Sequence, residues 1–276
     1  MSAVRWLAEH VEDGRVAFRI GRAGDELVAE WVGLARVTAS RDGKTHRFEP
    51  EPGLEPAEIE KVRLGSANLL LRHLQGKLAL HGAAVAVRGR AMVLLGRSGQ
   101  GKSTLAASLC ARAGATLFSD DAVAIDAGPT PGTYVLSPVE RNHWLDAPAR
   151  QALLEAQGSR ADAGDDDSKR PVAAPRVGAE SAPLVAIVDL AFGDDETPRL
   201  TAVGRGIDAI AALVPQAVRF VVDEPELQRR ELEALAELVD GVPVYRLVRP
   251  RRLELLERAH PLLLDLLGSE RKSGHR

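Results

Sequence analysis

The stretch VLLGRSGQGKSTLAASL, Val93 to Leu109, wedges a glycine-rich loop between an apolar run and a helical pattern, an order that few chain geometries accommodate. Gly96, Arg97, Ser98, Gly99, Gln100, Gly101, Lys102 and Ser103 satisfy G-x-x-x-x-G-K-[ST], with a strand expected before and a helix after, the context in which this pattern has meaning. A phosphate chain needs several hydrogen-bond donors in a tight concave arc. Residues without Cβ let consecutive backbone N–H groups turn inward that closely. The helix expected from Lys102 adds unsatisfied N–H groups, through Thr104, and the positive end of its dipole, while the Lys102 ammonium bridges the outer phosphates. Ser103 can offer its hydroxyl to Mg²⁺. An ordinary glycine turn would not explain Gly101-Lys102-Ser103 together.

In-line phosphoryl transfer also needs a carboxylate near the metal and a group that orients or deprotonates the acceptor. Two candidates compete. Asp120-Asp121 follows the short apolar run ATLF; if that strand runs parallel to the one leading into the loop, both carboxyl ends open on the same sheet edge, where ligands gather. One acid would then hold Mg²⁺ and the other would accept a hydroxyl proton; a cap or turn pair is the plainer reading. The rival is Asp189, which closes LVAIVD as a Walker B acid would, or as a strand-end turn residue. His81 opens the run HGAAVAV and is either structural or a partner of the acid pair.

The rest of the chain supports an α/β protein. Alternation from Arg15 to about Glu49, punctuated at Gly24-Asp25 and Asp42-Gly43, predicts antiparallel hairpins, followed by a helix ending near Gly76. The expected division is a small, mainly β region with a helix over 1–75 and a larger domain over 76–276. A long loop, about 155–183, has almost no large apolar residue and is expected to be mobile. Later come the strand-like PLVAIVDLAF and PVYRLV, with helices near Ile207, from about Glu224 to Leu238 and from about Arg251 to Leu267.

With 276 residues, a net charge of -3 and 4% aromatic residues, the chain offers no general attraction for nucleic acid or anionic lipid and no stacking platform for single strands. No leader and no membrane span is expected, and a lone cysteine, Cys110, suits a reducing compartment, so the expected location is cytoplasmic. Homo-oligomer formation is left open.

LALHGAAVAVRGRAMVLLGRSGQGKSTLAASLCARAGATLFSDDAVAI, Leu78 to Ile125, resembles the core of the HPr kinase/phosphorylase family, where a Leu-His element, a hairpin, a P-loop and a paired Asp occur in this order and spacing. The resemblance is weaker over Pro183 to Val248, where it is to the shorter HPr-kinase-related proteins. It implies a P-loop NTPase-like core akin to ATP-dependent phosphoenolpyruvate carboxykinase, and an ATP- and Mg²⁺-dependent kinase acting on a serine hydroxyl of a protein or peptide. Carried over, it implies nucleotide phosphates on Gly96 to Thr104, a metal and general-base role for Asp120 and Asp121 with Ser103, and His81 beside that pair; Asp189 becomes an ordinary strand residue. The family's larger amino-terminal domain and glycine-rich signature are missing: the corresponding region reads SPVERNHWLDAPARQAL, which argues against phosphorolysis and against HPr as acceptor. An NTP hydrolase switch, or a nucleotide-binding sensor without turnover, stands as the alternative.

Other residues carry two readings each. Lys169-Arg170 is a solvated loop or a source of positive charge at the transferring phosphate. Asp165 to Asp167 reads as solvated charge, lacking the alternate spacing of a calcium loop. Glu140, Arg141 and His143 read as the surface of a helix start, or as substrate or metal contacts. Cys110 is expected buried. Arg249, Arg251 and Arg252 read as a solvated basic cluster or a partner patch, ahead of an inner helix face of Leu253, Leu255 and Leu256.

Overall fold

A computed structural model describes residues 3–156, 169–221 and 224–268. The chain is mixed α/β and divides into two compact units: Met1–Ala79 with Val218–Glu231, and Leu80–Ala217 with Leu232–Arg276. The described residues form no helix long and apolar enough to cross a membrane.

In the first unit, β1 (Arg5–Glu12), β2 (Arg15–Ala23), β3 (Glu26–Trp31), β4 (Ala35–Ala39) and β5 (His46–Pro50) form an antiparallel sheet in chain order. β1 lies outside the alternation read from Arg15, because an edge strand that is mostly exposed has no need of an apolar face. One sheet face supplies Ile20, Leu27, Ala29, Trp31 and Val37 to a core closed by Leu70, Leu74, Val221 and Leu227. The helix expected to run unbroken to Gly76 is instead two, α1 (Pro56–Val62) and α2 (Asn68–Leu74), separated by a π-helical turn in which Gly65 leaves helical geometry at φ -85, ψ -108.

The second unit is organised by an eight-stranded sheet. After β6 (Ala79–His81), the strands β7 (Ala83–Val87) and β8 (Arg90–Leu95) make a hairpin that leads into the glycine loop and α3 (Lys102–Arg112). β9 (Thr116–Ser119) is antiparallel to β7 and therefore runs the same way as β8. β10 (Ala122–Ala124) pairs with β6; β11 (Asp126–Ala127) and β12 (Tyr134–Leu136) extend the sheet edge, and β13 (Asn142–Leu145) precedes α4 (Ala147–Ala156). Residues 157–168 of the expected mobile loop lie outside the described residues, and with them Asp165 to Asp167. Its later part is ordered: β14 (Arg170–Ala173) pairs with β13, and Leu117 exchanges backbone hydrogen bonds with Arg176 and Gly178. Backbone pairing needs no large side chains, so the polar composition concealed it.

β15 (Ala182–Phe192) is parallel to β8, and β17 (Val244–Arg249) is parallel to β15. β16 (Arg199–Gly204) pairs antiparallel with β17, α5 (Ile207–Leu213) follows β16, and α6 (Pro225–Gly241) precedes β17. The last expected helix begins as a 3₁₀ segment, Leu253–Ala259, and becomes α7 (His260–Gly268). Leu105, Ala106, Leu109 and Cys110 of α3 pack with Val85, Met92, Leu94, Val188, Leu190 and Leu247 from the sheet and Leu263 of α7. As expected, Cys110 is wholly buried, and burial pushes its thiol up to about 12.

Packing is tight where β6 turns into β7. A Cβ on Gly82 would lie 2.7 Å from the Leu94 carbonyl oxygen and 2.8 Å from Leu95 Cδ2, while the Gly82 N–H donates to the Asp121 carbonyl at 3.1 Å. Gly82→Ala is therefore expected to lower stability by about 1–3 kcal/mol, read as a fall in thermal midpoint. A midpoint equal to that of the parent would contradict this packing.

Candidate phosphate-transfer site

Four strands of the second unit, β9, β8, β15 and β17, end on the same sheet edge. The glycine loop leaves β8 at the centre of that edge. Gly101, at φ +75, is the N-cap of α3 and has no side chain with which to cap it, so no N-cap side chain bonds the first N–H groups of the helix. Gly96 adopts φ +140; a Cβ there would lie 2.5 Å from Gln100 Oε1 and 3.0 Å from the Leu190 carbonyl. The Gln100 side chain accepts from the Arg97 N–H at 3.0 Å and so braces the loop. Lys102, 8% exposed, folds back to donate to the carbonyls of Gly96 at 2.8 Å and Arg97 at 3.4 Å. Burial, then the Lys169 charge, holds its pKa below the usual lysine value.

The twin acids converge on this loop from the end of β9. Asp120, 5% exposed, accepts from the Ser103 hydroxyl at 2.7 Å, the Asp121 N–H at 3.0 Å and the Trp144 N–H at 2.8 Å. Burial raises its carboxyl from 3.8 to about 6 against the pull of these donors, with the Asp121 charge adding a little. Asp121 points into solvent with its backbone at φ +77, a left-handed geometry that Asp tolerates better than most residues. His81 Nδ1 lies 3.5 Å from Asp121 Oδ1. Burial and then the Lys102 charge hold that imidazole below its ordinary 6.5.

A cavity of about 200 Å³ brings His81, Lys102, Ser103, Asp121, Trp144 and Lys169 together with Phe192 and Arg249. A larger one, about 430 Å³, lies in the first unit among Asp25, Ser40, Arg41 and His46 and contains none of these groups. Size therefore does not mark the chemistry here. Asp189 is absent from the smaller cavity: its strand neighbours Val188 and Leu190 face α3, while its carboxylate pairs with Arg246 at 2.9 Å.

Two sequence readings are corrected. Of Glu140, Arg141 and His143, the last is not on a helix-start surface: His143 lies in β13, fully buried, with neither ring nitrogen partnered, and burial alone lowers its pKa to about 4. Arg249 is not part of a solvated cluster. It is 4% exposed and donates to the carbonyls of Gln100 at 3.0 Å and Gly101 at 3.5 Å, its Nε has no partner, and burial lowers its pKa to about 10. Strand parity could have revealed this, since Arg249 shares the α3 face with Tyr245 and Leu247.

The described residues contain no cluster of three or more His, Cys, Asp or Glu poised around a metal. Ser103, Asp120 and Asp121 nevertheless fit Mg²⁺, which takes one or two carboxylates with a hydroxyl and completes its shell with water and phosphate oxygen. No family model matches the chain, and no curated protein matches it in sequence. Among solved structures the chain is similar to the Hpr(Ser) kinase/phosphatase from Coxiella burnetii, with 11% identity, coverage of 68% of this chain and 98% of that one, and a TM-score of 0.32. A likeness of that size carries no argument, and the chemistry rests on the geometry above.

Asp120 and His143 titrate in opposite senses. Asp120, whose folded value lies above its unfolded one, lends stability below about pH 4 that is lost as pH rises through about 6, on the order of 3 kcal/mol in all. His143, whose folded value lies below 6.5, lends stability above that pH that is lost as pH falls through about 4. Melting curves from pH 4 to 8 should thus show Asp120→Asn gaining on the parent as pH rises and His143→Leu gaining as it falls. Parallel curves would show that neither group is buried as described.

Proposed function

We propose that this chain is an ATP- and Mg²⁺-dependent kinase of the HPr kinase type, with a P-loop core, that transfers the γ-phosphoryl group to a serine hydroxyl of a protein or peptide. The observation that carries the reading is the 2.7 Å bond from the Ser103 hydroxyl to Asp120: a helix-start hydroxyl and a buried acid from another strand share one point at the mouth of the glycine loop. In the absence of a metal, that bond satisfies two groups whose oxygens suit Mg²⁺.

The glycine loop and the first N–H groups of α3 would hold the phosphates, and Lys102 would exchange its loop carbonyls for phosphate oxygens. Ser103 and Asp120 would hold Mg²⁺, which would supply neutralisation of the phosphate charge. Asp121 is free to face the acceptor. As the serine oxygen forms its bond to phosphorus and the bond to the β-phosphate oxygen breaks, the hydroxyl proton passes to the Asp121 carboxylate, held in place by His81. Lys169, on the cavity wall, adds positive charge near the reacting phosphate.

The hydrolase reading needs Asp189, and the pairing of that acid with Arg246 speaks against it.

Asp121→Asn is the cleanest probe, because Asn tolerates the left-handed backbone while losing the base. With γ-labelled ATP and serine-containing candidate peptides, transfer should fall by about 10²–10⁴-fold in this variant, with nucleotide affinity held within a few-fold, and Asp189→Asn should match the parent. Label released only to water by the parent would replace the kinase with a hydrolase.

A further inference from the structure

The order of strand ends along the sheet gives the site a direction. β9, carrying the acid pair, lies on one side of the glycine loop, beyond β7; β15 and β17 lie on the other. A triphosphate whose reacting end meets Asp120 and Ser103 must run its opposite end toward the ends of β15 and β17. The final residues of those strands, Phe192 and Arg249, share the α3 face by strand parity with Leu190 and Leu247.

The local chemistry there suits a nucleoside. The Arg249 guanidinium lies 4.9 Å from the Phe192 ring centroid and that of Arg251 lies 5.6 Å from it. Arg249 is buried with an unpartnered Nε, and it braces the loop carbonyls of Gln100 and Gly101. Arg251 is exposed beside it, and Leu253 keeps 40% of its surface in solvent. Leu253 also lines, with Thr104, both this cavity and a smaller one of about 50 Å³ that continues along the alanine face of α3 at Ala107 and Ala111. The cavity of about 200 Å³ is too small to enclose a whole nucleotide, so the base must lie on this open rim.

Resting on the phosphate-binding reading of the glycine loop, we infer that the ends of β15 and β17 form a nucleoside subsite, in which Arg251 and Leu253 cover the base and Arg249 sets the loop against it. A guanidinium plane and a leucine side chain recognise an aromatic face without reading its edge, so the subsite binds a purine with little preference for one nucleobase over another.

Calorimetry with Mg²⁺ and either ATP or inorganic tripolyphosphate separates the base from the phosphates. Arg251→Lys, which keeps the charge and loses the plane, and Leu253→Ala should each weaken ATP binding by about three- to tenfold, leave tripolyphosphate within about twofold, and affect GTP as they affect ATP. Unchanged ATP binding in both variants, or equal loss of both ligands, would overturn the subsite while leaving the phosphate reading intact. A parent chain that binds neither ligand would remove both.

Discussion

A carboxylate taken out of water beside a helix N-terminus is the constraint around which this molecule is arranged. Asp120 is almost fully buried, and three donors from three parts of the chain reach it: Ser103 at the start of α3, its own neighbour Asp121, and the backbone of Trp144. Each donor lies where it does because a larger element holds it: α3 is pinned to the sheet by Leu105 and Leu109, β9 is aligned with β8 through β7, and β13 is fastened by its pairing with β14. Burial makes the charged acid costly at neutral pH, and a divalent cation at the same point would relieve that cost. The unliganded fold therefore carries an unfavourable charge that ligand binding would offset.

Positive charge is set around this acid in two layers. Lys102 and Lys169 face the cavity; burial and then the Lys169 charge lower the Lys102 pKa, while burial and then the Lys102 charge lower that of His81 beside Asp121. Arg249 sits against the loop, bonded to its carbonyls, so that the loop is held by a buried cation. Gly101 is required twice over, for its φ of +75 and because a Cβ would meet Arg249 Nη2 at 2.5 Å. The glycine pattern thus serves the fold as well as any anion.

Much of this was legible before any coordinates. The glycine loop, α3 with its inward Leu105, Ala106 and Leu109, and the buried Cys110 all follow from local periodicity, which short-range physics enforces. The parallel run of β8 and β9, on which the acid pair depended, was a stated condition that the sheet meets. What escaped notice lacks a local signal. β14 has no apolar pattern, Gly65 interrupts a pattern that reads as one helix, and the burial of His143 and Arg249 depends on what packs over them.

By itself, the order of residues from Leu78 to Ile125 determined a strand, a cradle without Cβ atoms and a helix, because steric exclusion and hydrogen bonding act between near neighbours. Only the tertiary structure decided which acid shares the hydroxyl of Ser103 and which faces solvent, that Asp189 is taken by Arg246, and that Arg249 is bonded to the loop. Those outcomes depend on sheet order and on which face of a strand is covered, and both are set by contacts between residues far apart in the chain.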